Sequence, residues 1–188
     1  MKDFLFYLQL GWDHIMSLDA LDHQLFILAL IASYSFKDFK KLLILITAFT
    51  IGHCITLALS SFDIIRVKSS WVEFLIPCTI VITALDNILL RGKRPYQYYF
   101  ALFFGLIHGM GFANTARMML AKEQSITTPL LGFNIGLELG QIAMVLIILT
   151  IFTILSKFTK LNQREWLLIA SSASGAIALQ MALERLPF

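Results

Sequence analysis

Long apolar stretches separated by short polar clusters run the whole length of this chain. A bilayer core takes about 20 apolar residues per helix, and the stretches near 20–36, 42–62, 71–90, 97–117, 129–155 and 165–185 come close to that length. The pattern predicts an all-α, polytopic membrane helix bundle of about six transmembrane helices, one integral-membrane domain over residues 1–188. Pro95 marks the break between the third and fourth spans. Tyr96, Tyr98, Tyr99 and Trp71 fall where interfacial aromatic belts are expected. The last span is weakened by SSASGA, although small residues there permit close helix packing. Ahead of the first span, MKDFLFYLQLGWDH is a short apolar run broken by Asp13, with no small-residue cleavage site after it. It reads as a short interfacial N-terminal segment lying at the membrane surface.

Composition agrees with a membrane protein. Hydrophobic residues make up 58% of the chain and charged residues only 14%, against roughly a quarter in a soluble domain. The net charge of +3 needs no nucleic-acid partner, because the basic residues read as loop anchors. Nine of the fifteen Lys and Arg follow spans one, three and five: Lys37, Lys40, Lys41, Arg91, Lys93, Arg94, Lys157, Lys160 and Arg164. That bias puts those loops in the cytoplasm and both termini outside, in the periplasm if the membrane is a bacterial inner membrane. Cys54 and Cys78 each fall inside an apolar segment and read as packing residues rather than a disulfide.

Ionisable groups inside spans are rare and mark functional sites by default, and here they recur. The stretch GWDHIMSLDALDHQLF carries His14, Asp19, Asp22 and His23 at the start of the first span. In the second span Thr50, His53, Thr56 and Ser60 fall on one face at three- and four-residue steps. The fourth span has His108 between Gly105, Gly109 and Gly111, small residues that let a neighbouring backbone come close. In the fifth, Asn134, Glu138 and Gln141 share a face beside Gly132, Gly136 and Gly140. Glu73 and the pair Asp86–Asn87 stand near the two ends of the third. With a rise of about 1.5 Å per residue, His53, His108 and Glu138 are expected at similar depth, with His14, Asp22 and His23 above them toward the outer face.

Imidazole with carboxylate suits divalent first-row metals. The expected metal ligands are therefore His14, Asp22, His23, His53, His108 and Glu138. Asp19, Thr56, Glu73, Asp86, Asn87, Asn134 and Gln141 are expected to support them or to line the ion's path. His14 and His23 are nine residues apart, so a shared ion requires the chain to bend between them, around Ser17 to Asp19. Three readings stay open. One is transport of a divalent ion, nickel, cobalt or zinc, with lipid and ion as the partners. Another is an intramembrane zinc hydrolase using the same ligands, with Glu138 or Asp22 as general base; no HExxH motif is present to support it. The third is an accessory subunit whose partner performs transport. No P-loop is present, so any transport is passive, gradient-coupled or powered by a partner.

The first motif together with AFTIGHCITL, WVEFLIPCTI followed by Asp86–Asn87, FGLIHGMGFA and GFNIGLELGQ resembles the HupE/UreJ family of bacterial membrane proteins, from Gly11 to about Gln141. Members of that family are associated with hydrogenase or urease operons and are regarded as nickel or cobalt permeases. The resemblance implies divalent metal uptake across the inner membrane, with homo-oligomers or metalloenzyme-maturation proteins as further partners. It maps the family's polar positions onto His14, Asp19, Asp22, His23, His53, Glu73, Asp86, Asn87, His108, Asn134, Glu138 and Gln141. One departure is that the usual Gly-Leu-Asp-His of the first motif is Ala20-Leu21-Asp22-His23 here.

Overall fold

The computed structural model describes residues 2–90, 96–112, 115 and 127–187. Among these residues all regular structure is helical. In chain order the helices are α1 (Lys2–Met16), a 3-10 turn (Leu18–Ala20), α2 (Leu21–Ile31), a second 3-10 turn (Phe36–Asp38), α3 (Phe39–Ser61), α4 (Ser69–Leu90), α5 (Gln97–Gly111), α6 (Thr127–Thr159) and α7 (Gln163–Glu184). Four of them, α3 with its preceding turn, α4, α6 and α7, are each long and apolar enough to cross a membrane. They coincide with the expected spans two, three, five and six. The expected fourth span continues past Phe112 into residues that, apart from Thr115, lie outside those described. The basic cluster Arg91, Lys93, Arg94 with Pro95 also lies outside them.

The first expected span is corrected. No helix covers 20–36; α2 has 11 residues, about 16 Å and half a bilayer core. It joins α1 through a bend of 58°, and only the bent pair passes as a membrane-crossing unit. Hydropathy sees the apolar run after Leu25 and takes the acids before it as surface. In the structure those acids sit at the break inside the pair.

The interfacial reading of the N-terminus is corrected for the same reason. Helix α1 is built into the bundle, with Tyr7, Gly11 and Ile15 buried. A Cβ on Gly11 would run into the Phe133 carbonyl, and one on Gly136 into the Leu8 carbonyl. Phe4 lies against Gly132, Leu8 against Gly136 and Ile15 against Gly140, so α1 and α6 run parallel, backbone to backbone. The second tight pair is α3 with α5, where a Cβ on Gly109 would strike the His53 carbonyl. Without a hydrophobic drive between helices in lipid, such small-residue contact is what holds them. The third pair is antiparallel: Ala84 of α4 meets Gly175 of α7, and Asn87 meets Ser171.

Helix α2 fills the centre, with Leu25, Phe26, Ile27, Ala29, Leu30 and Ile31 all buried. The outer faces are apolar too: Ile44, Ile51, Leu89, Leu131, Ile154, Ile169 and Leu183 are exposed. A water-facing surface does not carry that many; a lipid-facing one does. The chain is a multi-pass membrane protein.

Candidate metal centre

The break between α1 and α2 is held by its own sequence. A helix end leaves carbonyls without partners, and at membrane depth these need a substitute donor. Gln24 supplies it: its Nε2 donates to the Ile15 carbonyl at 3.1 Å and to the Ser17 carbonyl at 2.8 Å. The side chain from the start of one half-helix thus caps the end of the other. The expected bend around Ser17 to Asp19 is present. It brings His14, on the last turn of α1, edge to face with His23, on the first turn of α2, with ring centroids 4.7 Å apart.

His53 and His108 complete the cluster. His53 lies 6.0 Å from His14 and 6.2 Å from His23, and His108 lies 5.0 Å from His23, centroid to centroid. The expected layering, with His14 and His23 above the other two, is therefore replaced by one compact group. The reason is the break: the end of α1 and the start of α2 reach the level of His53 instead of stopping at the outer face. One ligand nitrogen each from His14, His23 and His53 can be chosen so that all three lie within 4.8 Å of one another. Three nitrogens on one ion stand roughly 3.3 Å apart, for metal–nitrogen bonds of about 2.0–2.1 Å. A closure of up to about 1.5 Å would bring them to that spacing.

Hydrogen bonding sets which nitrogens carry lone pairs. Asp22 Oδ1 lies 2.9 Å from His23 Nδ1 and also accepts the His23 backbone N–H at 2.8 Å. The carboxylate can only accept, so the proton is on Nδ1 and the lone pair on Nε2. Thr79 donates its hydroxyl to the Ile76 carbonyl at 2.7 Å. Its oxygen then accepts a hydrogen bond from His108 Nε2–H at 3.1 Å, which leaves Nδ1 without a proton. His23 Nε2, His108 Nδ1, His14 Nε2 and both nitrogens of His53 are buried with no protein partner. A carboxylate or hydroxyl fixing the far nitrogen is the usual support of a metal-binding imidazole.

Aromatic rings wall the cluster. Phe112 and Phe133 stack on each other at 4.7 Å, and both rings approach His14. Phe26 and Phe49 pack against His108 from another side. A cavity of about 200 Å³ reaches His14, His23 and His108, with Asp19, Asp22, Glu73 and Arg185 also in its lining. It has room for several waters, each needing about 30 Å³. His53 does not line it and is completely buried.

The other expected residues take different places. Asp19 and Glu73 are exposed in the cavity lining, and Glu73 accepts from Ser69. Glu138 accepts the Thr47 hydroxyl at 2.6 Å and Gln141 accepts that of Thr50 at 2.8 Å, so both tie α6 to α3. Neither belongs to the three-histidine group. Thr56 turns its hydroxyl to the Gly52 and His53 carbonyls. Asn134 donates to the Leu130 carbonyl and lines a separate cavity of about 280 Å³ beside Cys54. Asp86 accepts from Tyr96, and Asn87 binds the Ala29 carbonyl and Ser171. Gln24, Thr79, Arg185 and the Phe112–Phe133 stack were not singled out by sequence. Gln24 alone had a local signal, as an amide five residues past a suspected bend.

Fold and site together define a helical membrane protein that buries a cluster of imidazoles beside a break in one of its helices. The sequence profile described as "HupE / UreJ protein" matches residues 1–185. The chain belongs to the HupE/UreJ family. Comparison with curated proteins and with solved structures gives no match.

Proposed function

We propose that this protein carries a divalent transition-metal ion, nickel or cobalt, inward across the bacterial inner membrane. The observation that carries this reading is the set of three mutually close imidazoles, His14, His23 and His53, whose inward nitrogens have no protein partner. Neutral imidazole suits nickel, cobalt and zinc better than harder ions. Family membership supports the same cargo. In this reading the bent pair α1–α2 is the first of six crossings, and both termini face outward as the Lys and Arg bias requires. Broken helices at the site are a recurring device of transporters, since the interrupted backbone offers polar groups where an intact helix has none.

The ion arrives through the cavity past Asp19 and Glu73, exchanges water for His14 and His23, and then reaches His53. On the other side, Phe26, Phe49 and Phe104 and the Asn87 ties to α2 and α7 keep the passage shut until helices move. The hydrolase reading has less support, because both of its candidate bases are engaged. Asp22 is held by His23, and Glu138 by Thr47.

Nickel and cobalt uptake into proteoliposomes tests the proposal. Wild-type protein is expected to load the ion, and His53→Ala and His14→Ala to lose nearly all uptake while remaining folded. Uptake unchanged in both variants would falsify it.

A further inference from the structure

The lining of the cavity carries a positive charge. Arg185, the C-cap of α7, lines the cavity, and its Nη1 lies 3.7 Å from Asp22 Oδ2. A guanidinium beside a cation site repels the cargo, so its presence there calls for a compensating use. Asp22 supplies one. Oδ1 of that carboxylate is occupied by the two N–H groups of His23, which leaves Oδ2 as the oxygen able to turn toward an ion. The Asp22 side chain is only 16% exposed and the Arg185 side chain 36% exposed, so the pair is partly withdrawn from solvent in the cavity lining.

We propose that Arg185 is a specificity-determining positioning residue: it holds Asp22 Oδ2 and thereby keeps that carboxylate out of the ligand set. The inference rests on the transport reading above and refines it. With Asp22 restrained, an ion in the cluster meets imidazole nitrogen alone, the donor type that suits nickel, cobalt and zinc. Carboxylate oxygen in the set suits manganese and magnesium. Asp19 and Glu73, exposed in the same cavity, still attract a dication from water. Arg185 therefore separates two tasks for the acids: drawing the ion in, and contributing to its final ligands.

The test uses full-length protein in detergent, titrated with Co²⁺, Ni²⁺ and Mn²⁺, with the visible spectrum of bound Co²⁺ as reporter. Arg185→Gln is expected to bind Mn²⁺ about tenfold more tightly and to change Ni²⁺ affinity by less than about threefold. Its Co²⁺ spectrum should move toward mixed nitrogen–oxygen ligation. Arg185→Lys should keep wild-type behaviour, and in an Asp22→Asn background Arg185→Gln should change nothing. A role only in docking the end of α7 would lower thermal stability without moving the Ni²⁺ to Mn²⁺ ratio. If Arg185→Gln does not fold, Arg185→Met takes its place. An unchanged ratio and spectrum, or a shift that persists without the Asp22 carboxylate, overturns the role of Arg185. Wild-type protein that binds no Co²⁺, or binds it equally well in His53→Ala, overturns the transport reading, and the Arg185 proposal falls with it.

Discussion

Gln24 caps the end of the helix that precedes its own, donating from one side-chain nitrogen to the carbonyls of Ile15 and Ser17. The relationship explains how two half-helices can stop and start inside an apolar bundle with their polar ends satisfied. Because His23 is the neighbour of Gln24 and His14 the neighbour of Ile15, the same contact fixes two imidazoles at 4.7 Å.

Gln24→Leu keeps approximate volume and removes the donor. The Ser17 carbonyl keeps the Ala20 N–H, whereas the Ile15 carbonyl loses its Gln24 donor, a loss that costs about 1–3 kcal/mol for a buried group. The expected result is a lower melting temperature in detergent together with weaker Co²⁺ binding, as His14 drifts from His23. Normal binding in a destabilised protein would separate the cap from the site.

Thr79→Val removes the acceptor for His108 Nε2 at nearly constant volume. Loss of such a supporting partner typically costs 10–100-fold in metal affinity. Uptake is expected to fall about tenfold with little change in thermal stability. Full uptake in Thr79→Val would take His108 out of the ion's route.

Glu138→Gln keeps an oxygen that can accept the Thr47 hydroxyl and removes the charge. With Glu138 joining α6 to α3, metal affinity should stay within about twofold of wild type. Isothermal titration with Ni²⁺ reads this directly. A tenfold loss would restore Glu138 to the ligand set in which its spacing from the histidines first suggested it.

Gly136→Ala sets a methyl group against the Leu8 carbonyl, where neither backbone can yield without parting α1 from α6. Overpacking of this kind costs about 1–3 kcal/mol, and His14 moves with α1. Reduced stability and reduced Co²⁺ binding are expected together. Gly175→Ala meets the Ala84 methyl at 2.9 Å, a side-chain contact on the α4–α7 pair that involves neither α1 nor a histidine, and should spare metal binding.

The sequence made the spanning helices α3, α4, α6 and α7 legible because each is a sustained apolar run bounded by charge. It also isolated all four histidines and the need for a bend between His14 and His23, since an imidazole in lipid stands out against its neighbours. The first span was misread because hydropathy averages across a break: acids at a half-helix start look the same as acids at a surface. The bond of Glu138 to Thr47 was hidden for a different reason. Depth follows from residue count, but the direction a side chain faces depends on how α6 is rotated against α3. Thr79 and Arg185 carry no local mark at all, because each acquires its role from a partner on another helix, His108 in one case and Asp22 in the other.

The parallel contact of α1 with α6 has a consequence for how the protein is made. The pair α3–α5 can join once Gly111 has left the ribosome, whereas α1 has no glycine seam to dock on until residues near Gly140 have been translated. At 5–20 residues per second, the N-terminal helix waits about 6–25 s for its partner. The helix that carries His14 thus gains its α6 seam only after about three-quarters of the 188 residues exist, and a chain truncated before Gly132 holds that helix without its tightest partner.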